Sequence, residues 1–183
     1  MREWSPVPDD DRPMKGLKTM KRTEYEKFMI KQFTKFINDV LRKDDIKHFA
    51  ILHDGNTYAL SDGYVVTYIP KTLTHGIVIS TTQIRNNLRF HDGESSARVF
   101  TLFDSDREEV DHFLTVPTKD GRRGVVLMNE DIEFKYISEK NFKNAPVNVA
   151  TSITYSPSKH AVTFWWFDIP MMSIMEVRYK PEQ

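Results

Sequence analysis

The sequence contains no cysteine, which excludes disulfides, thiolate zinc sites and cysteine nucleophiles and fits a reducing compartment. It carries no net charge: 26 basic residues balance 26 acidic ones. No whole-molecule field therefore draws in nucleic acid or an anionic membrane, and any basic recognition face must be local. No apolar run approaches the ~20 residues of a membrane span, and the N-terminus lacks the apolar core of a signal peptide. P-loop, dinucleotide and nucleophile-elbow motifs are missing as well. These absences predict a cytoplasmic protein with no cofactor and no membrane partner. Glycine is scarce, at seven residues, and four of them follow aspartate, at 54–55, 62–63, 92–93 and 120–121.

What is present reads as one folded unit. A chain of 183 residues, 39% hydrophobic and 28% charged, is long enough and ordinary enough in composition to bury a core. Residues 1–20 differ from the rest, with three of the nine prolines and the run Asp9-Asp10-Asp11. We read them as a flexible tail whose aspartates are a solvated run rather than a cation site, and residues 21–183 as a single domain. Met20 stands just before the folded pattern and is a candidate natural start.

The pattern past Met20 predicts an α+β fold: a largely antiparallel sheet on which a long N-terminal helix and one or two short helices pack. Thr23-x-x-Glu26 has the form of a capping box, and Met29, Phe33, Phe36, Ile37, Val40 and Leu41 follow at helical spacing as one apolar stripe. Lys27, Lys31, Lys35 and Arg42 lie off the stripe. From residue 48 onward come short runs rich in Val, Ile, Thr, Tyr, Phe and Trp, among them 48–53, 56–60, 64–69, 76–80, 97–103, 124–128, 132–137, 161–167 and 174–179. The alternation of Val147, Val149, Thr151, Ile153 and Tyr155 predicts a strand with one buried face. Ser105-x-x-Glu108 predicts a short helix near 106–113, and Ser138 another near 139–145.

His-Asp-Gly occurs twice, at 53–55 and 91–93. A metal site would need His53, Asp54, His91 and Asp92 to converge, yet adjacent residues on a strand point to opposite faces. Asp-Gly is also a strong hairpin signal, which accounts for each aspartate and makes each histidine the last residue before a turn. A second constellation is Asp120 with Glu133-x-Lys135, the sparse pattern of a metal-dependent nuclease. There, two carboxylates would hold Mg or Mn to activate water while the lysine steadies developing charge. The alternative is that Asp120 belongs to its turn and Glu133 and Lys135 face solvent. Asp111 and His112, with Glu108 and Glu109, are acid–base candidates that a short charged helix more often leaves on the surface.

Ala59-Leu60-Ser61-Asp62-Gly63-Tyr64 resembles the Ala-Thr-Asp-Gly segment of the DNA polymerase sliding clamp (β subunit). Phe134-Lys135-Tyr136-Ile137 with Asn141-Phe142-Lys143-Asn144-Ala145 is similar to the clamp's strand and following helix. Ile174-Met175-Glu176-Val177-Arg178-Tyr179 is similar to its closing strand. The resemblance implies helix-on-sheet packing and a surface for proteins or DNA, without catalysis.

Two functional classes follow. The first is a non-catalytic interaction protein, clamp-like or acting as small anti-CRISPR proteins do, whose partner is a protein or a protein–nucleic acid complex. The second is a small metal-dependent nuclease using Asp120, Glu133 and Lys135. For the first, the candidate binding residues are Trp165, Trp166, Phe167, Met171 and Met172. Neighbouring tryptophans on a strand face opposite sides, so a sheet covered on one side would expose an aromatic–methionine patch to a homo-oligomer or another protein. A sheet covered on both sides would bury it.

Overall fold

The computed structural model describes residues 15–42, 50–53, 55–74, 106–117, 123–128 and 135–177. Asp9 to Asp11, Asp54, His91, Asp92, Asp120, Glu133 and the strand runs at 76–80 and 97–103 lie outside the described residues. The fold is mixed α/β, and every strand pairing described is antiparallel.

Helix α1 spans Lys15–Arg42. It begins before the expected boundary at residue 20, so Thr23 lies inside the helix rather than at its N-cap. Glu26 instead pairs with Arg22 one turn earlier, at 3.2 Å on the exposed surface. The reason is that Lys, Leu and Met between 15 and 21 are good helix formers and no proline interrupts them. Of the expected apolar stripe, Met29, Phe33 and Phe36 enter the core together with Tyr25, and Ile37 packs against it; the side chains of Val40 and Leu41 lie outside the described residues, and Lys27, Lys31 and Lys35 stay exposed.

Among the described residues ten strands follow: β1 (Ala50–His53), β2 (Thr57–Ser61), β3 (Val65–Pro70), β4 (Glu108–Glu109), β5 (His112–Pro117), β6 (Arg123–Met128), β7 (Lys135–Ser138), β8 (Ser152–Ser156), β9 (Ala161–Trp166) and β10 (Ile169–Met175). A 3-10 turn, Lys71–Thr74, follows β3, and a short helix α2, Glu139–Phe142, follows β7. Seven strands form one sheet in the order β1-β2-β3-β10-β9-β8-β4, and β5-β6-β7 form a second. No described helix is long and apolar enough to cross a membrane.

Register places Leu60, Thr67, Met172, Phe164 and Ile153 in one row across the large sheet. That face is covered twice. Helix α1 packs over one half, where Tyr25, Met29, Phe33 and Phe36 meet Tyr58, Leu60, Ile69, Trp166 and Met171. The small sheet and α2 pack over the other, where Val125, Ile137 and Phe142 meet Tyr155, Val162, Phe164 and Ile174. A register shift between Pro170 and Met172 lets neighbouring methionines serve both clusters.

The opposite face is buried too. Ala59, Val66, Tyr68 and Ala161 cluster there, beside a buried hydroxyl network in which Tyr68 Oη donates to Ser173 Oγ at 3.3 Å and Ser173 shares a 2.7 Å bond with Thr163. Trp165 and Trp166 do take opposite faces, and both are buried.

Two local expectations change. Residues 106–113 are extended, not helical: Glu108 and Glu109 pair with Tyr155 and Thr154, and His112 onward pairs with β6. The capping-box pattern at Ser105 is a one-turn signal, and it loses to pairing with β8 and β6, with Val110 and Phe113 packed into the core. Residues 147–149 form a turn, so the alternation becomes a strand only from Ser152.

Candidate binding cleft

A cleft of about 320 Å³ opens where α1, the β2–β3 turn and α2 meet. Its floor is largely apolar: Phe36 from α1, Leu60 and Val65 from the β2–β3 hairpin and Met172 from β10, with Thr67 of β3 between Leu60 and Met172. Its rim is polar and comes from separate elements. Gln32 and Lys35 lie on α1, Ser61 and Asp62 at the turn, and Lys140, Asn141 and Asn144 on α2 and the residues after it.

Each wall has a local cause. Gln32 interrupts the apolar stripe of α1, three residues after Met29 and four before Phe36, so the helix edge facing the cleft is polar. The turn is fixed by Asp62, whose Oδ1 accepts the backbone N–H groups of Tyr64 at 2.9 Å and Val65 at 2.8 Å. Gly63 follows at φ 91°, and its N–H donates to Ser61 Oγ at 3.1 Å. Asp-Gly therefore does mark a hairpin here, but the carboxylate makes an Asx-type turn while only the glycine takes positive φ. Helix α2 starts directly after Ser138, as its sequence predicts, but it ends at Phe142 rather than near 145; Asn141 lies on it and Asn144 in the turn that follows.

A second polar cluster lies at the far end of β8 and β9. Glu176 Oε2 accepts a 2.6 Å bond from Tyr155 Oη and lies 3.1 Å from His160 Nδ1. Burial first, and then the bond to Glu176, pushes the Tyr155 hydroxyl well above the ordinary tyrosine range. Nearby, Asp106 accepts the hydroxyls of Ser158 and Ser156, and the Ser158 bond chiefly holds its carboxyl below the usual range. This cluster closes the β8–β9 turn and ties the chain after β10 to it.

Of the nuclease set, Lys135 is described and sits on β7 with Nζ 5.8 Å from the Tyr155 ring centroid; Asp120 and Glu133 lie outside the described residues. Glu108, Glu109, Asp111 and His112 are exposed on extended chain. Among the described residues no group of three or more His, Asp or Glu could hold a metal ion.

Of the expected binding residues, Trp166 and Met171 lie under α1 and Met172 reaches the cleft floor. Trp165 is buried on the other face, where its Nε1 donates to Thr154 Oγ1 at 2.8 Å and the Arg107 guanidinium lies 4.1 Å over its ring. Four of the five are thus covered within the chain, and Phe167 alone is exposed, at 42%. The sequence reading missed Gln32, Lys140, Asn141 and Asn144. The available signal was the polar break at Gln32, together with a short helix after Ser138 with amides at 141 and, just past its end, at 144.

No protein-family model, curated protein or solved structure matches the chain.

Proposed function

We propose that this chain is a non-catalytic interaction protein that receives a segment of a protein partner in the cleft between α1, the β2–β3 turn and α2. The observation that carries the reading is the cleft's make-up, a largely apolar floor under amides and lysines contributed by three separate elements. An apolar floor rewards burial of a partner side chain, and a rim of amides supplies both donors and acceptors for a partner backbone. Partners in DNA metabolism or nucleoprotein machinery, including those bound by phage-encoded regulators, are supported by the likeness of residues 59–64, 134–137, 141–145 and 174–179 to sliding-clamp segments.

Selection from a phage-displayed random peptide library on the immobilised full-length chain tests this. The expected result is enrichment of peptides whose binding is lost in Asn144→Trp, a change at an exposed position that fills the cleft mouth. Failure to enrich any peptide, or enrichment indifferent to Asn144→Trp, contradicts docking in this cleft. Degradation of DNA or RNA with Mg or Mn, stopped by EDTA, would instead establish the nuclease reading around Asp120, Glu133 and Lys135.

A further inference from the structure

Building on that docking reading, we infer that the cleft selects an acidic segment, one in which an apolar side chain is flanked by Asp or Glu. Lys27, Lys31 and Lys35 recur every four residues on α1, and all three are exposed. At a rise of about 1.5 Å per residue they stand roughly 6 Å apart along the axis, so they form a basic ridge that ends at the cleft. Lys140 stands on the opposite wall, with exposed Lys143 one turn further on. The mouth therefore lies between two cationic walls on a chain whose net charge is zero, which makes the positive potential a local feature.

The single carboxylate among the described lining residues, Asp62, already accepts two backbone N–H groups of its own turn. Its one negative charge stands against both Lys35 and Lys140, so the charged lining residues still carry a net positive charge. A nucleic-acid strand fits this site less well than a peptide. Leu60, Val65 and Met172 offer no flat ring for a base to stack on, and Phe36 is the single aromatic among the described lining residues. An apolar side chain can rest against half-buried Val65 while neighbouring carboxylates reach Lys35 on one side and Lys140 on the other.

The test uses the peptides enriched on the wild-type chain and the double variant Lys35→Glu/Lys140→Glu. Both lysines are exposed, so the variant should keep its fold, which circular dichroism and the melting temperature check. The enriched peptides should carry Asp or Glu beside an apolar residue. They should bind the double variant about tenfold or more weakly and lose affinity as salt rises. Peptides without acidic enrichment, or affinity unchanged by the charge reversal, would overturn the inference while leaving peptide docking in place. If no peptide is enriched, docking and acidic selection fall together. A thymidine oligonucleotide that binds the wild-type chain and displaces the peptides would also overturn it.

Discussion

Phe167 holds φ 52° at the first central position of the β9–β10 hairpin, where a two-residue turn of this kind favours glycine. Its ring meets Trp166 edge-on at 5.1 Å, and Thr151 Oγ1 accepts its N–H at 2.6 Å. Phe167→Ala removes the ring contact but keeps the unfavourable backbone, whereas Phe167→Gly removes both. The glycine variant should therefore be more stable than the alanine variant by about 1 kcal/mol in urea denaturation, and equal stabilities would contradict a backbone cost. Two buried tyrosines make a similar contrast. Tyr25 stacks on Trp166 at 4.4 Å, and its hydroxyl is buried without a hydrogen-bond partner, while Tyr68 donates to Ser173. Tyr25→Phe should leave stability unchanged or raise it by up to about 1 kcal/mol, and Tyr68→Phe should lower it by about the same amount. Equal losses from the two would refute this accounting. Burial also holds the hydroxyls of Tyr25, Tyr68 and Tyr155 protonated well above their ordinary range. Because the folded values are raised, the associated stability is whole below about pH 10 and is lost as pH climbs above it. Tyrosinate absorbance from these three should appear only as the chain unfolds. Titration of all seven tyrosines near pH 10 with the fold intact would contradict it.

At the scale of elements, α1 depends on the stripe that the sequence displays most clearly. Phe33 is 4% exposed, and Phe33→Ala should cost about 3–5 kcal/mol; a loss below about 1 kcal/mol would mean that the helix does not pack as described. Existence and type of this helix were legible because the apolar spacing repeats over several turns. Its start was not, since Thr23 and Glu26 form a local pattern that the helix simply runs through. The same limit explains residues 106–113, where pairing with β8 and β6 decides the conformation and no local signal reports that pairing. Helix α2 was legible at Ser138. Strand β10 was only half visible, because Pro170 sits inside it at a register shift that a regular strand pattern does not anticipate. The cleft itself was largely hidden. Its floor looks like core in sequence, and its rim residues come from stretches more than a hundred positions apart, from Gln32 to Asn144.

Across the whole molecule, the two sheets share one core: Val125 and Ile137 of the small sheet cluster with Val162 and Phe164 of the large one. Neither sheet can lose its partner without exposing apolar surface, so thermal unfolding should be a single transition, with calorimetric and van't Hoff enthalpies in agreement. Two separated transitions would show that the sheets are independently stable. That shared packing also fixes α2 relative to α1 and so holds the cleft open between them. Amide hydrogen exchange of the chain with and without a library-selected peptide tests the central claim most directly. Cleft docking predicts added protection in residues 32–36, 60–65 and 139–144, with the rest of the chain unchanged. Protection confined to other surfaces, such as the Phe167 turn or the β5 strand around exposed Leu114, would contradict it.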